Sequence, residues 1–242
     1  MIPGVEESAA PRPMMAELAR LRQAAYRLLA CSFLFPEPDL IQESADAARS
    51  LRDGESWAAE FAFYGSWREF AEVLSNTDPS QVTDLRDEHM ALFGADSARS
   101  SIPLTETGYL EPGSLESGQI VASVRQHYAS AGLAPRTTTA EPFDHLSVEL
   151  EFISYLCGKE VDAWDSGELK DARIAMGRQR RFIEKHPSKW APMVAAGIIH
   201  RDGLYARAAA AAEALLTHDI DFLAAARTHL KHAQLARGGA PD

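Results

Sequence analysis

The stretch that most constrains the fold is Glu141-Pro142-Phe143-Asp144-His145-Leu146-Ser147-Val148-Glu149-Leu150-Glu151-Phe152-Ile153-Ser154-Tyr155-Leu156. Pro142 cannot sit inside a helix and Asp144 is a favoured cap, so a helix is expected to begin at Asp144, its free amides facing the acid. Leu146, Leu150, Ile153 and Cys157 then recur at helical spacing, and Val148, Phe152, Tyr155 and Leu156 widen the apolar face until little is left for solvent. Yet Asp144, His145, Glu149 and Glu151 all fall in the first two turns, with His145 one turn before Glu149 on the same side. Each has an ordinary explanation. A cap contributes about 1 kcal/mol, a His145–Glu149 surface pair roughly 0.2–0.5 kcal/mol, and acids near a helix start are favoured by its dipole. Charge crowded onto an otherwise apolar helix beside a proline break nevertheless marks a candidate site.

The rest of the chain has the same period. Met14 to Phe33 carries a stripe of Leu18, Leu21, Ala25, Leu28 and Leu29, closed by Phe35-Pro36-Glu37-Pro38. Leu40 to Leu51 is a weaker second helix. A third is expected from Trp57 to Leu74, with Trp57, Phe61, Tyr64, Trp67, Phe70 and Leu74 forming core rather than a ligand cage. Asp78-Pro79-Ser80-Gln81 is a helix start with cap, first-position proline and a reciprocal glutamine, and that helix should end at Gly94. Ala95 to Gly113 reads as a long loop packed on the body by Ile102, Leu104, Tyr109 and Leu110. Further helices are expected over Gly118 to Ala131, Asp144 to about Trp164, Glu168 to His186, Trp190 to Ile199 and Leu204 to about Leu235, with Pro187 and Ser188 as a break. The basic run Arg178-Gln179-Arg180-Arg181 reads as a solvated face. No alternating strand, phosphate loop or catalytic serine turn is visible. The expected fold is all-α, about ten helices, in five stretches. Residues 1–13 form a disordered lead-in, 14–132 an N-terminal helical part, 133–142 a hinge, 143–236 a C-terminal helical part and 237–242 a flexible tail.

Composition narrows function by exclusion. A formal charge of -11 over 242 residues argues against nucleic-acid binding and favours a basic partner. Cys31 and Cys157 stand far apart outside any Cys-x-x-Cys pair, so they read as thiols of a reducing compartment rather than metal or redox ligands. Met1 to Pro13 lacks an export signal, and no apolar run approaches the roughly 20 residues of a membrane span. A cytoplasmic protein without membrane insertion is expected.

Three segments, in order, resemble the signatures of the TorD/DmsD-type redox-enzyme maturation chaperones. They are Asp87-Glu88-His89-Met90-Ala91-Leu92-Phe93-Gly94, Pro103-Leu104-Thr105-Glu106-Thr107-Gly108-Tyr109, and Glu141-Pro142-Phe143-Asp144-His145 leading into Glu149-Leu150-Glu151-Phe152. Trp190-Ala191-Pro192 and Leu204-Tyr205 fit the C-terminal half, and the likeness extends from the first helix to about residue 225. The resemblance implies a TorD-like helical bundle acting as a cytoplasmic chaperone, with no catalytic residue, metal or cofactor of its own. Its client would be the apo catalytic subunit of a molybdopterin oxidoreductase of the dimethyl sulfoxide reductase superfamily, held through its twin-arginine leader until the cofactor is loaded. The narrower expectation is an exported subunit of the group containing ethylbenzene, dimethyl sulfide, selenate and chlorate enzymes. Weak guanine nucleotide binding, and a monomer or a domain-swapped dimer, are further associations of the family.

Carried over by position, the leader-binding region maps onto Asp144 and His145, with the loop from Pro103 to Tyr109, including Glu106, forming part of the groove. The chain departs from the family at His89, where tyrosine is usual, at Leu104-Thr105 in place of a Pro-Tyr pair, and at Phe143, where proline is common. Chemistry points the same way. Two guanidinium groups followed by an apolar segment need carboxylates beside an apolar groove, which Asp144, Glu106 and Glu149 together with Leu104, Tyr109, Phe143 and Leu146 would supply. His145 would then make binding pH-sensitive near neutrality. The competing reading is a metal-dependent helical hydrolase with Asp144, His145, Glu149 and His89 as ligands, which needs three convergent donors where only two are helix neighbours.

Overall fold

Among the described residues, apolar periodicity of 3.6 residues becomes ten α-helices with no strand, only one isolated antiparallel bridge between Thr105 and His145. The computed structural model describes residues 12–52, 56–94, 101–110, 117–134, 141–198 and 201–238. The expected lead-in, hinge and tail fall mostly outside these residues. In chain order the helices are α1 Arg12–Ser32, α2 Pro38–Arg52, α3 Tyr64–Ser75, α4 Val82–Phe93, α5 Glu106–Tyr109, α6 Ser117–Ser130, α7 Leu146–Ser166, α8 Leu169–Lys185, α9 Pro187–Ile198 and α10 Leu204–Gly238. No helix among the described residues is long and apolar enough to cross a membrane.

The helix expected to organise the chain does lie at its centre. α7 packs along α1 and α8, while α10 closes the other side against α3, α8 and α9. Leu146, Leu150, Ile153, Leu156 and Cys157 are all buried in this core, as their spacing requires. Gly167 ends α7 at φ +76°, a left-handed conformation that lets its amide reach back to Ala163 and Trp164. The box around Asp78 forms as read, Asp78 accepting from the Ser80 amide and Gln81 accepting from the Asp78 amide, although it opens a 3-10 turn over Pro79–Gln81 before α4 begins.

Three expectations about elements need correction. The helix expected from Trp57 to Leu74 is a 3-10 turn, Ser56–Glu60, followed by α3. The break has a packing reason: residues two apart on a helix face nearly opposite ways, whereas here Phe61 and Phe63 both contact the His218 ring of α10, at centroid distances of 5.6 and 4.8 Å. Pro187 does not separate two helices by a gap; it is the first residue of α9, where a missing amide hydrogen costs nothing. A short helix, α5, also interrupts the segment expected to be all loop.

Charge sits inside this core as well. Arg22 of α1 is wholly buried, and its Nε and Nη2 donate to Asp219 of α10 while Nη1 donates to Glu160 of α7 at 3.0 Å. Tyr26 adds a hydrogen bond to Asp219, Trp164 one to Glu160 Oε1, and Gln179 of α8 one to Glu160 Oε2. Burial alone would raise the Asp219 pKa, but the Arg22 guanidinium overrides it and holds the carboxyl below its ordinary value. The network ties four helices together. It also corrects the reading of residues 178–181 as a solvated face, because Gln179 has no solvent exposure.

Candidate functional site

The bridge between Thr105 and His145 joins the two segments singled out in the sequence. The Glu106 amide donates to the Asp144 carbonyl at 3.0 Å and the Leu146 amide to the Leu104 carbonyl at 2.8 Å. Thr105 caps α5, its hydroxyl accepting from the Gly108 amide. Gly108 is required here by proximity, since a Cβ at this position would stand 2.5 Å from Pro103 Cβ. Asp144 completes the junction by accepting from both the amide and the hydroxyl of Thr107, at 3.0 and 2.7 Å.

Asp144 therefore does not cap α7. The cap is His145, whose Nδ1 accepts from the Ser147 amide at 3.2 Å and pairs with the Ser147 hydroxyl at 2.7 Å. Burial drives the His145 pKa down to about 4, with His89 adding in the same direction and Asp144 opposing. A neutral ring is what a cap acceptor needs. Titration near neutrality, which a pH-sensitive site would use, is thus not expected of this residue.

The sign of its effect on stability follows from that depression. Between about pH 6.5 and pH 4 the unfolded chain binds a proton at His145 that the folded chain does not, so stability present above about 6.5 is lost as pH falls toward 4. The loss is expected to reach about 2–3 kcal/mol. Glu149 works in the opposite sense, because burial and the Glu106 charge raise its pKa well above the ordinary value. The prediction therefore concerns the difference between the protein and His145→Asn, which keeps a capping acceptor without a proton to gain. Urea unfolding at pH 7 and at pH 4.5 should show the variant losing less stability than the parent, and equal losses would contradict the assignment.

The carboxylates expected to face a cationic ligand are inside the protein. Relative exposure is 2 % for Asp144, 7 % for His145, 2 % for Glu106 and 0 % for Glu149. Leu104 is also buried, whereas Pro103, Tyr109 and Phe143 are half-buried, in the two segments that the Thr105–His145 bridge joins. Phe143 lies under the Arg125 guanidinium at 5.2 Å, and its carbonyl accepts from Tyr128. Tyr109 packs on Trp190 with ring centroids 5.8 Å apart.

Nor do Asp144, His145 and Glu149 converge as a ligand set. Glu149 meets Glu106 and His186 instead, and among the described residues these three are the only such group of potential metal ligands. Glu106 Oε2 lies 2.8 Å from His186 Nδ1, His186 Nε2 lies 3.2 Å from the Ser123 hydroxyl, and Trp190 Nε1 donates to Glu149 Oε2 at 3.2 Å. Glu149 Oε1 has no hydrogen-bond partner. His186, Ser123 and Trp190 were missed as members of this cluster, and Thr107 as the partner of Asp144. His186 sits 80 residues from Glu106, and no local pattern reports a contact of that span.

Comparison with known proteins places this geometry in context. A family profile described as nitrate reductase delta subunit matches residues 57–196. The chain is 28% identical over 215 residues to the chaperone protein TorD of Vibrio cholerae serotype O1 strain ATCC 39541, an alignment covering 85% of this chain and 94% of the relative. The TorD of V. cholerae O1 strain M66-2 aligns with the same identity and coverage. A solved structure titled as a putative redox enzyme maturation protein from Archaeoglobus fulgidus is 22% identical, with a TM-score of 0.48 over 83% of this chain and 93% of that one.

Proposed function

We propose that this chain, which belongs to the nitrate reductase delta subunit family, is a TorD-type maturation chaperone like the relatives it aligns with, and that its client is the apo catalytic subunit of an exported molybdopterin oxidoreductase. In this reading it binds the client in the cytoplasm through the twin-arginine leader, and holds back export until the cofactor is inserted. The observation that carries the proposal is the profile match over 57–196, a range that takes in the 103–109 segment, the Asp144 step and most of α7 to α9.

Burial shifts where the client would touch. Asp144, Glu106 and Glu149 are already engaged by Thr107, His186 and Trp190, so a guanidinium could reach them only if the 102–110 segment lifted. The proposed contact is made by the half-buried side chains of Pro103, Tyr109 and Phe143, in the two segments that Asp144 ties together through Thr107. The apolar segment of a leader suits those side chains, and the charge of -11 supplies long-range attraction for its arginines.

The test is a fluorescence-anisotropy titration of a synthetic twin-arginine leader peptide. Binding should saturate and weaken as salt rises past 0.1 M, where charges more than about 8–10 Å apart are screened. Phe143→Ala and Tyr109→Ala should each weaken it about tenfold, near the 1–2 kcal/mol of an interface anchor, with the fold retained. Equal affinity for a leader whose arginines are replaced by alanine would overturn leader recognition. Failure of a large redox-enzyme subunit to co-purify from the native host would overturn the client class.

A further inference from the structure

We propose that Glu106, Glu149 and His186 form a site for one divalent first-row metal ion, with zinc as the leading candidate. The three residues come from α5, the first turn of α7 and the junction of α8 with α9, and each is at least nine-tenths buried. One donor atom from each lies within 4.8 Å of the others. Tetrahedral zinc at about 2.0–2.2 Å sets its donor atoms roughly 3.3–3.6 Å apart, so the hydrogen-bonded Glu106 Oε2 and His186 Nδ1, at 2.8 Å, would have to part around the ion while Glu149 swings toward it.

Acidic residues gathered together do not make a metal site, but two further features point to a ligand. The first is Glu149 Oε1, a fully buried oxygen that no protein N–H or hydroxyl reaches, in a carboxylate that lies against the Glu106 carboxyl. A carboxylate oxygen left bare in a dry interior is costly unless a proton or a cation completes it. The second is the outer layer of contacts. Ser123 holds Nε2 of His186 and Trp190 holds Oε2 of Glu149, which leaves Nδ1 and Oε1 as the atoms without a partner outside the cluster. Metal-binding imidazoles and carboxylates are oriented in this way, the far atom of each being tied to a neighbour.

The donor set selects among ions. One imidazole nitrogen and two carboxylates suit zinc, iron(II) or manganese(II), provide too few oxygens for calcium, and lack the sulfur that copper(I) favours. Zinc has no redox chemistry, so the ion would serve as a staple. Through Glu106 it would pin the 102–110 segment to α7 and the α8–α9 junction. The inference does not depend on the identity of any client.

The test uses tag-free, full-length protein. Metal content is measured by inductively coupled plasma mass spectrometry before and after chelator treatment, and zinc is then titrated back against a competing dye while Tm is followed. The expected result is one equivalent of tightly bound zinc and a Tm higher by about 5 °C in its presence. Glu149→Gln, Glu106→Gln and His186→Gln should each lose at least about 100-fold in affinity while retaining the helical circular dichroism of the parent. His229→Gln, on the exposed face of α10, should bind as the parent does. The absence of a saturable site, or unchanged zinc affinity in Glu149→Gln, would overturn the proposal. So would a metal-free parent in which Glu149→Gln is the more stable protein, since that result assigns a shared proton to the carboxyl pair.

Discussion

Replacing Arg22 by alanine should destabilise the protein by about 3–5 kcal/mol, enough to consume a large share of the stability of an ordinary domain. Truncation removes the cation that two carboxylates share in a space closed to water, Asp219 through Nε and Nη2 and Glu160 through Nη1. Tyr26, Gln179 and Trp164 donate to the same carboxylates, but none of them carries charge. The cost is therefore mainly that of uncompensated buried charge rather than of lost packing. Arg22→Met, which restores most of the side-chain volume, should remain nearly as unstable as Arg22→Ala. Adding Asp219→Asn and Glu160→Gln to Arg22→Met should recover a substantial part of the loss, because neutral amides at those positions no longer need a counter-ion. Urea unfolding at pH 7 provides the measurement. A loss below about 1 kcal/mol for Arg22→Ala would mean that water reaches the network.

A loss of comparable size is expected on truncating Trp190, one of the largest side chains with no solvent exposure. Trp190→Ala should cost about 3–5 kcal/mol through the cavity alone, and it also removes the donor to Glu149 Oε2. Trp190→Phe separates the two effects. It keeps much of the ring volume and the packing against Tyr109, while deleting the indole N–H, so its cost should fall to about 1–3 kcal/mol. Glu149 would then have neither oxygen supported by a side-chain donor. If Trp190→Phe proved neutral, the hydrogen bond to Glu149 would contribute nothing to the folded state, and the cluster would owe its stability to its other members.

Both predictions rest on buried charges whose surroundings the sequence does not report. Arg22 falls on the apolar side of α1, one turn after Leu18, where its charge stands out among aliphatic neighbours. Glu149 looks like an acid placed to suit a helix start. The period of a helix says which side a residue occupies, but a polar residue near the edge of an apolar face reads the same whether it meets water or a buried partner. Departures of this kind concentrate where function or a strained compromise overrides local rules. Glu106, Asp144, His145 and Glu149 lie in the 103–109 and 141–149 segments that the family signatures mark, whereas Arg22, Glu160, Gln179 and Asp219 lie outside them.

The chain's own order of residues was sufficient for the all-helical class and an approximate helix count, but not for α5, which was expected to be loop. Capping at Asp78, termination at Gly94 and the stripe that buries α7 all depend on neighbours within about four positions, and such information survives without knowledge of the fold. Only tertiary structure could decide which acids are enclosed and what they face. Arg22 meets Asp219 across 197 residues and Glu106 meets His186 across 80. The free energy of a charge depends on the dielectric and the partners around it, and those are set when distant helices close over it.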